Sequence, residues 1–128
     1  MKNNYDLAAL ALRLAGGGLM LTHGIPKLIK IFNGDWSFAN PLGLGEEFSL
    51  VLTVFAEFLC ALLILLGLRS KWAAVPLIIT MMIAAFVVHG ADPFGKKETA
   101  LLYLLIYLAI FWIGSGKYSL DHVLRKKN

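Results

Sequence analysis

The 128-residue sequence predicts an all-α membrane protein, a bundle of four transmembrane helices forming one domain over residues 1–128 with both termini cytoplasmic. Three observations predict it. Hydrophobic residues make up 59% of the chain against 16% charged, with a mean hydropathy of +0.73, whereas a soluble domain carries about 45–50% apolar residues and about 25% charge. The apolar residues gather into four stretches, near the roughly 20 helical residues that a bilayer core of about 30 Å requires. Lysines and arginines sit mostly at the ends of those stretches rather than along a basic stripe, so the net charge of +4 reads as membrane topology, not a nucleic-acid surface. The single cysteine, Cys60, excludes an intrachain disulfide framework and a CxxC pair.

The first helix is expected over about 7–31. Its apolar run, Leu7–Leu28, contains Arg13, His23 and Lys27. Gly16-Gly17-Gly18 lets a neighbouring helix or a flat ligand approach the backbone. Pro26 withdraws a donor from the carbonyl of Thr22 and predicts a kink around Thr22–Pro26. With Arg13 in its interior and no small-residue cleavage site, the run does not read as a signal peptide. The second helix, about 48–68, is interrupted by one charge, Glu57. The third, about 72–89, has no Lys, Arg, Asp or Glu, and neither has Ala100–Gly114, the apolar part of the fourth, about 98–115. Helices without a polar face do not belong on the surface of a soluble bundle. Lys2, Arg69, Lys71, Lys117 and Arg125–Lys127 fall on the side of the termini, outnumbering Lys27, Lys30, Lys96 and Lys97 on the other. The richer side is expected to be cytoplasmic, with Trp72 and Trp112 near its interface. The longest link, Asn33–Glu47, is rich in turn residues, and so long a link in so small a protein is often functional.

Polar residues inside a bilayer cost roughly 2.5–3.5 kcal/mol each and need partners or water. Glu57 lies nine residues into its stretch, roughly 13 Å deep at 1.5 Å per residue. A short carboxylate cannot reach the interface from there, so it must be protonated, paired or wetted. Arg13, roughly 9 Å in from the opposite face, is the expected partner. His23, Lys27 and His89 are expected at the outer mouth with Asp92, Lys96, Lys97 and Glu98, a set that can exchange protons and attract a small anion. Each has a bland reading as well: Lys27 as a snorkelling lysine, His23 as a structural hydrogen-bonder at the kink, Lys96 and Lys97 as a solvated loop. Tyr103 and Tyr107, four apart, read either as packing or as one wall of a slot for a planar isoprenoid quinone. Cys60, one turn from Glu57, is either inert packing or a group facing the same cavity. No metal-ligand set is visible.

The chain resembles the DoxX/DoxD family of small four-helix membrane proteins. The resemblance is carried by Arg13-Leu14 with Gly17, His23-Gly24-Ile25-Pro26-Lys27, Glu57, Leu65-Leu66-Gly67-Leu68-Arg69, His89, Glu98 and Gly114-Ser115-Gly116-Lys117-Tyr118-Ser119-Leu120-Asp121. It covers nearly the whole chain, roughly residues 7–121. The family includes the membrane subunit of thiosulfate:quinone oxidoreductase. The resemblance therefore implies oxidation of thiosulfate to tetrathionate, with electrons passed to quinone, in the inner (cytoplasmic) membrane of a bacterium. On that reading Glu57, Arg13, His23, His89 and Cys60 are the candidate catalytic residues. Lys27, Lys96, Lys97 and Glu98 are candidates for anion binding, and Tyr103 and Tyr107 for quinone. A second subunit or a homo-oligomer is an expected partner, and nucleic acid is not. Two rival readings are a non-catalytic membrane anchor or assembly partner of a soluble redox enzyme, and a small transporter.

Overall fold

The computed structural model describes residues 2–127, with side chains over residues 4–125. The regular structure among these residues is all helical, with no strand. Helix α1 spans residues 2–32 as Lys2–Arg13, a widened π-helical stretch Leu14–Leu19, and Met20–Phe32. Helix α2 spans Glu46–Leu66, with a second π-helical stretch at Phe55–Cys60. Helix α3 spans Ser70–Val88 and ends in a third, Ala84–Val88. Helix α4 is Phe94–Ile113, and a short α5, Leu120–Lys127, follows. The helix starts therefore fall earlier than hydropathy suggests, because charged first turns such as Glu46-Glu47 are helical too. Pro26 lies inside a helix that continues through it to Phe32.

Stretches 4–32, 46–66 and 70–88 are long and apolar enough to cross a membrane. In α4 the uncharged part, residues 99–113, follows Lys96, Lys97 and Glu98 in the opening turns. Each long helix packs on the next, and α4 returns to α1, so the four form a ring. The outer surface is apolar, unlike that of a soluble protein, although the core is apolar too. Arg13 and Glu57 are buried, while Leu19, Ile29, Ile79, Phe86 and Leu105 face outward. Trp72 and Trp112 are about 70% exposed at the end of the bundle that carries the termini, where amphipathic rings sit in a bilayer interface.

Glycine decides how closely α1 and α2 approach. A Cβ on Gly17 would lie 2.6 Å from the Leu65 nitrogen, and one on Gly24 would overlap the Glu57 carbonyl. Gly24→Ala is therefore expected to destabilise the protein by about 1–3 kcal/mol, since backbone cannot yield to an added methyl. Gly18→Ala meets only Leu65 Cδ1 at 3.8 Å. Thermal unfolding in detergent should show a lowered Tm for the first variant and none for the second.

The terminal end is closed by a polar knot. Helix α2 stops at Gly67, whose φ of 75° suits the left-handed cap, with Leu68 N–H on the Leu63 carbonyl and Gly67 N–H on that of Ile64. The guanidinium of Arg13 donates to the carbonyls of Ile64, Leu65, Ser115 and Tyr118 at 2.8–3.1 Å. Asp121 accepts from the Arg69 N–H and from the Ser115 hydroxyl, which in turn lies 2.8 Å from the Ser70 hydroxyl. Helix ends leave carbonyls without partners, and this knot supplies them.

Candidate functional site

At the other end of the bundle the remaining polar residues converge. Gly24 seats α1 directly on the backbone of Glu57, and Lys27, one turn further on, shares that face of α1. Lys27 Nζ donates to Glu57 Oε1 at 2.5 Å. The Glu57 side chain is only 6% exposed, and it sits in the π-helical stretch of α2. Such widened turns frequently occur at functional sites. From α3, the Ala84–Val88 stretch delivers His89, whose N–H donates to the Ala84 carbonyl. Its Nδ1 is 2.9 Å from Asp92 Oδ2. The His89 bond, with Lys96 and Lys97 nearby, holds the Asp92 carboxyl below the usual range. In the loop after α1, the Ser37 hydroxyl, Lys30 and the Ser37 N–H hold Asp35 down to about 2, which pins the start of that loop to the end of α1.

Two cavities meet at this cluster. The smaller, about 210 Å³, lies at the ring's centre among His23, Lys27, Glu57, His89, Lys96 and Tyr103. It is smaller than the about 300–1,000 Å³ that drug-sized ligands occupy, and suits a small ion. The larger, about 540 Å³, opens between α2 and α3 beneath the 33–45 loop. Its walls are apolar: Phe38, Leu42 and Leu44 from the loop, Leu52 and Phe55 from α2, Ile79 and Ile83 from α3. Thr53 and Thr80 also line it, but they turn their hydroxyls onto the Ser49 and Pro76 carbonyls of their own helices. Lys27, Glu57, Ala84 and His89 line both cavities. A cation, a carboxylate and an imidazole thus form the partition between a polar chamber and an apolar cleft. Among the described residues no group of three or more His, Cys, Asp or Glu side chains stands close enough to hold a metal.

The DoxX family model matches residues 8–90, more than half of the chain and all of the residues in that partition. The chain belongs to the DoxX family. An uncharacterized membrane protein of Mycobacterium tuberculosis is 29% identical over 143 aligned residues, covering 94% of this chain and 83% of its own length. An uncharacterized protein of Haemophilus influenzae is 28% identical, covering 91% of this chain and 90% of its own. No solved structure matches the chain.

The motifs of this DoxX protein separate into two clusters. Arg13, Gly67, Arg69 and residues 114–121 make the terminal knot, whereas His23, Gly24, Lys27, Glu57 and His89 meet at the partition. The expected Arg13–Glu57 pair does not form; Lys27 takes Glu57 instead. The reason is register. Gly24 faces residue 57 and Gly17 faces residues 61–65, so the antiparallel helices bring Arg13 opposite about residue 68. That is roughly 16 Å along the axis from Glu57 at 1.5 Å per residue, beyond an arginine's reach. Nor does Lys27 simply snorkel to the interface.

The other expected residues divide between cavity and packing. His23, His89 and Lys96 line the polar chamber. Lys97 donates to the Gly90 carbonyl, Glu98 is exposed, and neither lines these two cavities. Cys60 is buried in the hydrophobic core, away from both. Tyr103 lines the polar chamber, edge-on to His23 at 5.8 Å between ring centroids. Tyr107 is completely buried and donates to the Gly16 carbonyl at 2.7 Å, so Tyr103 and Tyr107 do not wall a slot open to lipid. The apolar cleft lies on the opposite side of Glu57. Sequence reasoning missed its loop wall, notably Phe38, whose ring centroid is 5.9 Å from Lys27 Nζ. The available signal was the length of the 33–47 link together with the apolar residues Phe38, Leu42 and Leu44 inside it.

Proposed function

We propose that this DoxX protein is a membrane oxidoreductase that passes electrons from a small sulfur oxoanion, thiosulfate, to membrane quinone. The observation that carries the reading is the shared partition, with Lys27, Glu57 and His89 each touching both a small polar chamber and a larger apolar cleft. Lys27, Lys96 and the two histidines give the chamber the donors and positive charge that a sulfur oxoanion needs. The cleft is within the size range of an organic ligand, and its ionisable groups, Lys27, Glu57 and His89, are those it shares with the chamber, which suits a quinone head with an apolar tail. Two thiosulfates joined by a new S–S bond release two electrons, and quinone takes up two electrons and two protons. In this reading Glu57, which lines both spaces, hands over a proton and is resupplied past His89, which lines the same two spaces and is bonded to Asp92.

In this reading α4 is the fourth membrane crossing, and the end bearing the termini faces the cytoplasm. Lys2, Arg69, Lys71, Lys117 and Arg125–Lys127 support that orientation. The chamber then opens outward, and the membrane is the bacterial inner membrane.

Purified protein in detergent, supplied with thiosulfate and a soluble quinone, should reduce the quinone and form tetrathionate in a 1:1 ratio. Glu57→Gln should lower that rate by about 10²–10⁴-fold, the usual contribution of a positioned proton donor. A wild-type protein that binds no quinone and reduces none, but co-purifies with one stable redox enzyme, would overturn the reading in favour of a non-catalytic membrane partner.

A further inference from the structure

We propose that anion binding in the polar chamber is coupled to the uptake of one proton by Glu57, because the anion and the carboxylate compete for the same lysine. The inference rests on the chamber being an anion site. Lys27 Nζ lines the chamber, yet its ammonium is engaged by Glu57 Oε1 on one side and the Phe38 ring on another. An oxoanion that enters the chamber draws the ammonium toward itself. Glu57, 4% exposed, is then left as a buried carboxylate without its cation. A buried charge that loses its partner is strongly disfavoured, and protonation removes it.

The surroundings determine which groups take part. Facing Glu57 are His23 and Lys27 from α1, His89 from α3, and Lys96 and Tyr103 from α4. Asp92 is bonded to His89 and lines neither cavity. None of these is a second carboxylate in contact with Glu57, and Lys27 is the cation bonded to it. In the exchange the Lys27–Glu57 hydrogen bond breaks, an ammonium–anion contact forms, and one proton from the buffered solution enters by the chamber mouth, bonds to Oε1 and offsets one of the dianion's two negative charges. The partition between chamber and cleft is thereby charged while the chamber is empty, and proton-loaded on the Glu57 side once the anion has entered.

The test is isothermal titration of the full-length protein with sodium sulfate and sodium thiosulfate, without quinone, in buffers of different protonation enthalpy. Sulfate resists oxidation, so its binding reports the coupling free of any redox step. The expected result is uptake of one proton per anion and an affinity that falls about tenfold per pH unit while Glu57 is ionised before binding. In Glu57→Gln the uptake should vanish, and the affinity should stay at the wild-type low-pH value across the range. Infrared difference spectra of the wild type should gain a protonated-carboxyl band on adding either anion, a readout that survives a poorly folding variant. Failure of both anions to bind, binding without proton uptake, or uptake that persists in Glu57→Gln and disappears in His23→Gln or His89→Gln overturns the inference. Binding without uptake in a protein that still reduces quinone sinks only the coupling. Coupled binding without quinone reduction sinks only the oxidoreductase reading.

Discussion

Replacing Arg13 with leucine is expected to cost about 3–5 kcal/mol of stability while leaving the Lys27–Glu57 pair in place. The side chain is 2% exposed and donates to four backbone carbonyls drawn from the end of α2 and from the segment between α4 and α5. A hydrogen bond from a charged donor contributes about 1.5–3 kcal/mol, and each abandoned buried acceptor adds its own desolvation penalty. Leucine would strand these carbonyls and let the terminal knot open. Arg13→Lys should recover little, since an ammonium lacks the planar fork that spans four acceptors. Thermal unfolding in detergent should show a Tm lower by about 10 °C or more for Arg13→Leu. Wild-type thermal stability with selective loss of quinone reduction would instead assign Arg13 a chemical role.

The second large effect belongs to Lys27. Lys27→Met leaves Glu57 buried without a cation and is expected to destabilise the protein by about 3–5 kcal/mol. Adding Glu57→Gln removes the stranded charge, and the double variant should return to within about 1–2 kcal/mol of the wild type. Both variants should be inactive in quinone reduction. The double variant then separates chemistry from folding, because it is stable yet carries neither charge. If the single variant were as stable as the wild type, Lys27 would not be the cation that Glu57 depends on. An active double variant would remove both residues from the proposed chemistry.

How much of this site was legible beforehand depends on the kind of signal each residue carries. Glu57 stands out in any reading, because a lone carboxylate in an apolar run of membrane length demands a partner. His23, His89 and Lys96 were also legible, since stretch order alone sends them to one end of the bundle. The partner itself was not. Counting depth from the ends of hydropathy stretches makes Arg13 look reachable, but the helices start and stop at other residues. The glycines Gly17 and Gly24, not hydropathy, set the offset between α1 and α2. Tyr107 misled for a related reason: its spacing from Tyr103 shows a shared face of α4 but not whether that face meets lipid or the Gly16 carbonyl.

The amino-acid sequence by itself determined that this is a helical membrane protein with a polar end and an isolated acid. Those properties follow from local quantities, namely apolar run length, the cost of charge in lipid, and the positions of lysine and arginine. Only the tertiary structure decided that Lys27 rather than Arg13 meets Glu57, that Arg13 ties the helix ends together, and that the apolar cleft lies beneath the 33–45 loop. These depend on the rotation and axial offset of neighbouring helices, which arise from contacts between residues far apart in the chain and leave no periodic trace within any one segment.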